Sequence, residues 1–319
     1  MPLTVLKPLL ARYGVQCSLE VFHSTVNRVF HDVEATVYDE VHHDLWQSLP
    51  QQFVLLASDV LKCGPQKPLR LLDIGCGTGL STDLLLRTSL GPSIDSVHLI
   101  DTSPKMLERA RNRLSVHPVK LRATNASIAE LDNTSQYDVI LACSVLHHIP
   151  DVSGFLADVR RLQRPGGFFV HLQDPNNDSS ASPARRQRRE TLENRNRKTE
   201  WQGKLHRTVG ALARRLTGRT KTYMDRVNDE LLAQGVISRP MEPPDIWSVT
   251  DIHVFDGKGV SVNEMLKGLP EYRPVSTRSY GFFSVLESEL PSDLRVVESA
   301  LTSAGSLEGN TVAGVWQLC

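Results

Sequence analysis

Two groups of residues in this chain have the types and spacing to do chemistry. The first is Asp73 followed by Gly75, Gly77 and Gly79, within LRLLDIGCGTGL at residues 69–80. Alternating glycines just past an apolar run let the backbone approach a ligand closely, because any side chain there would hold the ligand off. The run from Gly79 to Leu86 then opens a helix whose first amides lack partners and can face a polar group. The second group is His147–His148, in CSVLHHIPD at residues 143–151. An imidazole exchanges protons near neutral pH, so either could deprotonate a hydroxyl or a carbon acid, with His147 the first choice. The plainer reading is that both simply build the loop. Cys143, between apolar flanks, reads as a small packing residue rather than a nucleophile.

These residues need a scaffold, and the sequence supplies one. Leu69, Leu71, Leu72 and Ile74 suit a strand buried on both faces. A second strand, Ser96 to Ile100, ends at Asp101, where a carboxylate can accept from both hydroxyls of a ribose. Ser103 and Pro104 then start a helix. A third strand runs from Val119 to Ala123 and a fourth from Tyr137 to Ala142. A helix from Val152 to Leu162, a Pro165–Gly167 turn and a fifth strand from Phe168 to Leu172 follow. Repeated strand–helix units imply an open parallel sheet wound on both sides, with ligands at the carboxyl ends of the strands. Ahead of it, Ser18 to Val29 and Leu45 to Leu61 have helical spacing.

Composition bounds the rest. A chain of 319 residues buries a substantial core, and its formal net charge of zero exerts no general pull on nucleic acid or membrane. Five scattered cysteines without a C-x-x-C pair argue against a disulfide framework or structural zinc and fit a reducing, cytoplasmic setting. No leader or spanning segment is expected. Charge is nonetheless segregated: residues 185–221 hold thirteen Lys/Arg against three Glu. The mildest reading is a solvated helix on an insertion; since Leu205, Val209, Leu212, Ala213 and Leu216 share one helical face, the runner-up is a lid that meets a membrane surface or an anionic or amphiphilic substrate. Beyond it lie a helix from Met224 to Gln234 and a Pro-rich aromatic stretch whose Ile246, Trp247, Ile252, His253 and Phe255 could line a pocket or equally serve packing alone. Tyr280 to Leu286 and Thr311 to Leu318 read as strands joined by a helix near Leu294 to Ala304.

The G-x-G-x-G spacing after Asp73 differs from the dinucleotide fingerprint and resembles motif I of class I S-adenosylmethionine (SAM) methyltransferases. DTSPKMLERAR at 101–111, the turn at Asn125–Ala126, CSVLHHIPD and the helix–RPGG–strand of 152–172 extend the resemblance in the family's order. It covers about residues 30–175 well and the last 40 loosely. It implies a doubly wound α/β fold: a mostly parallel seven-stranded sheet with an antiparallel last strand, N-terminal helices and a helical cap insertion. The corresponding organisation is 1–68 packing on the cofactor site, 69–175 as the Rossmann-like core, 176–272 as cap and 273–319 completing the sheet.

For function the resemblance implies SAM as cofactor, S-adenosylhomocysteine (SAH) as product, and in-line methyl transfer. The acceptor would be a small secondary-metabolite or lipid-like molecule, with O-methylation ahead of C- or N-methylation. The cofactor residues carried over are Tyr38 (from an A-x-x-Y-D stretch), Asp73, Gly75, Cys76, Gly77, Gly79, Asp101, Thr102, Met106, Asn125, Ala126, Cys143 and Ser144. Asn125 stands where the family often has Asp, so it would meet the adenine amino group without a charge. No [DNS]-P-P-[YFW] motif follows the fourth strand, which argues against nucleobase-amino methylation. No metal is expected, since Asp151 is the one carboxylate evident in that loop to join those after the fifth strand. The alternatives are an RNA or protein methyltransferase using 185–221, or a SAM-binding protein of this fold without methyl transfer.

Overall fold

The computed structural model describes residues 3–195, 221–253 and 259–319. Its centre is one seven-stranded sheet in the order β3-β2-β1-β4-β5-β7-β6. The strands are β1 (Leu69–Ile74), β2 (Ile94–Asp101), β3 (Lys120–Asn125), β4 (Tyr137–Cys143), β5 (Gln163–Pro175), β6 (Tyr272–Tyr280) and β7 (Thr311–Leu318). The first five pair in parallel, and β7 runs antiparallel between β5 and β6. Strand order reverses at β1, next to β4, which opens the crevice where open α/β sheets bind ligands. Both faces of the central strands are apolar because helices cover each side. Leu71, Leu99, Val139 and Phe168 pack on one side with the helix His43–Lys62, while Leu72, Ile140 and Phe169 pack on the other with Val152–Leu162.

The two edges are protected. β3 carries Lys120 and Arg122, and β6 carries Arg273, Arg278 and a register shift at Pro274–Ser276, features that discourage pairing with another chain. That edge corrects the sequence reading, which put a strand at Tyr280 to Leu286. The strand is the more polar Tyr272–Tyr280, and it stops because Gly281 has φ +68°. Phe282 and Phe283 then turn into a small apolar cluster with Leu192 and Leu290, while Glu298 accepts from the amides of Gly281 and Phe282.

A separate apolar cluster joins the N-terminal helix Leu19–Glu34 to the region between β5 and β6. Phe22, Val26, Val29 and Phe30 meet Val227 and Leu231 of the helix Tyr223–Ala233, and Ile246 and Val249 of the helix Pro243–Thr250. The chain ahead of the sheet and the insertion before β6 therefore share one apolar core. No helix among the described residues is long and apolar enough to cross a membrane.

One core residue makes stability depend on pH. His171 on β5 is fully buried between Phe169 and Trp316, and neither ring nitrogen has a hydrogen-bond partner among the described residues. Burial, against the opposing charge of Asp174, pushes its pKa down to about 4. Below the ordinary value of about 6.5 the unfolded chain binds a proton that the folded chain refuses, so stability falls as pH drops from 6.5 toward 4. Relative to wild type, His171→Leu should gain about 2 kcal/mol in urea unfolding between pH 8 and pH 5. An unchanged difference would mean that His171 titrates normally in the fold.

Candidate functional site

The glycine turn at the end of β1 is shaped for close approach. Gly75, Gly77 and Gly79 all have positive φ, at +57°, +52° and +81°. A Cβ on Gly79 would lie 3.0 Å from the Cα of Ala110, so this glycine seats the turn on the helix Pro104–Leu114. A Cβ on Gly77 would meet nothing within 4 Å, so it would project into open space. That space belongs to a cavity of about 490 Å³ at the carboxyl ends of the strands, within the range for small-molecule sites.

Asp101, at the end of β2, is the hinge of the site. Its Oδ2 accepts from the amide of Gly77 at 2.9 Å and its Oδ1 from that of Ser103 at 2.8 Å. Burial raises its pKa, opposed by these two amides and by His31. Each carboxylate oxygen keeps a second lone pair, and the residue lines the cavity. Thr102, Met106 and Ala126 line the same wall, as do Gly75, Cys76 and Gly77. Cys143 and Ser144 form the β4 side, and Tyr38 faces them from the N-terminal segment. With His148, eleven of the residues expected from sequence meet around one cavity.

Four do not. Asp73 is fully buried behind the turn, its Oδ2 accepting from Ser81 (2.8 Å) and Thr82 (2.6 Å), so it fixes the start of the helix Leu80–Leu86. Burial, only partly offset by those hydroxyls, pushes its pKa up to about 7. Gly79 is turned onto Ala110. Asn125 lies off the wall and its side-chain amide donates to the carbonyl of Asp101 at 2.8 Å, bracing the β2 end. His147 sits behind the wall, both its amide and Nδ1 bonded to buried Asp174. The preference for His147 over His148 is therefore reversed: His148 is the one on the cavity.

His148 Nδ1 lies 2.7 Å from the Thr250 carbonyl, which only accepts, so that nitrogen carries the hydrogen and Nε2 keeps its lone pair. Burial and the neighbouring rings of His147 and His31 hold its pKa well below the usual range. His31, edge-on to it at 5.2 Å between ring centres, shifts the other way. Burial lowers its pKa, but Glu34, Asp101 and Asp251 outweigh this and raise it. Two imidazoles on one cavity wall thus have pKa values shifted in opposite directions.

Sequence reasoning takes His31 for a solvated or capping residue and misses His23, Asn27 and Arg28, which line the cavity with it from the same helix. It also missed Gln173 at the end of β5. Gln173 (φ +66°) and Ser144 (φ +60°) are non-glycine residues in left-handed backbone at adjacent strand ends, a strain typical of sites. Of the proposed pocket residues further on, Ile246 and Ile252 are core, Trp247 packs on Phe30, and His253 Nε2 donates to the Ile149 carbonyl at 2.7 Å; none lines this cavity. Phe255 lies outside the described residues, as does the basic amphipathic face from Leu205 to Leu216. Arg185 and Arg188, before it, bond to Asn310, Phe282 and Glu308 and so brace the C-terminal region.

Residues 72–169 match a family model described as a methyltransferase domain. That segment carries a methyltransferase domain. Two curated relatives align with the same part of it: a demethylmenaquinone methyltransferase of Tropheryma whipplei, 38% identical over 101 residues, and a ubiquinone biosynthesis O-methyltransferase of Methylocella silvestris, 36% identical over 106. The alignments cover 31% and 33% of this chain and 39% and 40% of those proteins. The chain thus spans two fifths or less of the length of the curated relatives it matches. Among solved structures, the plantazolicin methyltransferase BpumL aligns at 12% identity over 94% of this chain and 96% of its own, with a TM-score of 0.48.

Proposed function

We propose that this chain is a SAM-dependent methyltransferase acting on a small molecule, with an oxygen atom as the acceptor. The observation that carries the reading is the single cavity whose one wall is the methyltransferase domain's glycine turn, Asp101 and Met106, and whose other is Tyr38, His31 and His148. A donor and an acceptor can meet only where two such walls share one space. The residues present fit SAM: Gly77 leaves open room for its amino-acid end, Asp101 has free lone pairs for the ribose hydroxyls, and Met106 and Ile128 offer apolar surface to a base. When bound, SAM supplies a methyl group on a sulfonium that departs as a neutral thioether.

The chain's own contribution is alignment, exclusion of water and disposal of a proton. The helix Leu19–Glu34 closes over the crevice, and Leu45, Leu49, Ile149 and Phe155 add apolar lining. His148, with Nε2 free, accepts the proton an acceptor hydroxyl must lose. One relative's name specifies O-methylation in ubiquinone biosynthesis, which supports oxygen over carbon or nitrogen. All five cysteines are free, in keeping with a cytoplasmic setting.

The direct test is calorimetry with SAM and SAH, followed by a search for SAH release over a panel of phenols and hydroquinones. Binding with turnover on a hydroxylated acceptor is expected; no measurable SAM binding would overturn the reading. A second expectation concerns the turn that carries Tyr38. Asp39 accepts from Arg113 (2.6 Å), Arg109 (3.2 Å) and Thr78 (3.2 Å), tying that turn to the glycine loop. These groups are partly exposed, so the latch is worth about 1 kcal/mol. Asp39→Ala should weaken SAM binding about fivefold by calorimetry and leave the melting temperature nearly unchanged.

A further inference from the structure

We infer that His23 and Asn27 form a recognition site for a second hydroxyl group on the acceptor, set along the cavity from the oxygen that is methylated. This rests on the methyl-transfer reading above and names the kind of molecule it takes: one hydroxyl is held while another reacts. Both residues belong to the helix Leu19–Glu34 and line the cavity, at 8% and 9% exposure.

Hydrogen bonds to the backbone fix what each side chain offers. Asn27 Nδ2 donates to the carbonyls of His23 (3.1 Å) and Val249 (3.4 Å), and carbonyls only accept, so the amide cannot be turned around. The same Nδ2 lies 3.2 Å from His23 Nε2. A ring nitrogen that faces an N–H group keeps its lone pair, so the imidazole hydrogen is on Nδ1. Among the described residues, no group accepts from His23 Nδ1 and none donates to Asn27 Oδ1. One open donor and one open acceptor, a single helical turn apart, thus border the same cavity. Buried polar groups are paired in folded proteins, and here the partner must come from the cavity. A hydroxyl answers both: its oxygen accepts from His23, and its hydrogen goes to Asn27.

Charge disfavours other groups. Burial, with the ring of His253 beside it, pushes the His23 pKa down to about 4, so the imidazole is neutral near pH 7. Arg28, the next residue along the helix, is paired with Asp32 at 3.4 Å and donates to Gln234 at 2.9 Å. A carboxylate or phosphate would meet the amide oxygen of Asn27 and no unpaired cation. An ammonium would meet the N–H of His23.

Helix geometry sets the length of the acceptor. His23, Asn27 and His31 follow at four-residue intervals, on one face and about 6 Å apart along the axis. His31 stands edge-on to His148, with 5.2 Å between ring centres. The second hydroxyl therefore lies one to two helical turns, about 5–11 Å, from the end where His148 takes the proton. A single ring with adjacent hydroxyls is too short. Two linked rings, or a ring with a hydroxylated arm, reach both ends.

The test uses the full chain in the presence of SAH and two probes of that span, para,para′-biphenol and para-phenylphenol, which differ only in the second hydroxyl. Calorimetry should show wild type binding the biphenol about tenfold more tightly. The preference should vanish in His23→Phe and in Asn27→Leu, with SAH binding retained. The monomethyl ether of biphenol, whose far oxygen accepts but cannot donate, should fall between the two probes. Where Asn27→Leu lowers the melting temperature, His23→Phe and the ether decide the question. Equal binding of the two probes by wild type, absence of both included, means that the pair holds water only and overturns the proposal. A preference unchanged in both variants overturns it too. SAH binding beside either result leaves methyl transfer standing. A biphenol preference in a chain that binds neither SAM nor SAH keeps the site and removes methyl transfer.

Discussion

Gly77→Val should lower SAM affinity by a hundredfold or more while the protein still folds. Three glycines make up the turn, and they are not equivalent. A side chain on Gly75 would strike Val145, its Cβ 2.8 Å from Cγ2, and one on Gly79 would strike the backbone of Ala110 at 3.0 Å. Substitutions there test packing as much as binding. At Gly77 a Cβ meets nothing within 4 Å, yet the residue lines the cavity, so the isopropyl group would occupy ligand space. The left-handed backbone, φ +52°, costs a β-branched residue about 1–2 kcal/mol, a few degrees of melting temperature. The amide of Gly77 can still donate to Asp101, so the hinge of the site persists. Calorimetry with SAM beside thermal unfolding separates the two effects. Binding within a few-fold of wild type would show that the donor does not lie against this turn.

The same turn shows how much of the molecule could be read before its structure. The first five strands and the helices between them were legible because they combine two local signals, apolar runs or alternation and glycine or proline punctuation, within short spans. Asp101 and the glycines inherit their places from strand ends and Met106 from the first turn of the next helix, so their positions were legible too. What was hidden depends on contacts distant in sequence. The helix Leu19–Glu34 reads as amphipathic, and its polar stripe of His23, Asn27, Arg28 and His31 would ordinarily face water. Instead Phe22, Val26, Val29 and Phe30 are buried against residues 223–252, more than 190 positions on, and that packing swings the polar stripe onto the cavity.

Asp73 failed in the opposite sense. An acid just before a glycine turn reads as a ligand, but Ser81 and Thr82, in the first turn of the next helix, claim its Oδ2. The C-terminal strand was misplaced for a related reason. Edge strands carry little apolar signal, so Tyr272–Tyr280 looked like loop, while the phenylalanines past Gly281 looked like strand because they serve a different cluster. Periodicity reports burial, and it does not report which neighbour does the burying.

In the proposed function, His148 is the residue on which the chemical step depends. Replacing it by alanine should lower kcat by about 10²- to 10⁴-fold, the usual worth of a positioned proton acceptor, with SAM affinity within about twofold of wild type. The asymmetry follows from geometry. His148 shares the cavity with the donor wall, but it belongs to the loop after β4, and the contacts that shape the donor wall run through Asp101, Gly77 and Ser103 instead. Its Nδ1 is committed to the Thr250 carbonyl, so the loop would lose one hydrogen bond at a partly buried position, about 1 kcal/mol of stability. His147 offers the contrast. It is bonded through both its amide and its ring to Asp174, behind the wall, and touches the acceptor side only through the neighbouring ring. A role confined to bracing would therefore make His147→Ala costlier in melting temperature and milder in kcat than His148→Ala. Single-turnover release of SAH, measured with SAM saturating, reads the chemical step without product release. Equal rates for wild type and His148→Ala would mean that the proton leaves by another route, and would take His148 out of the mechanism.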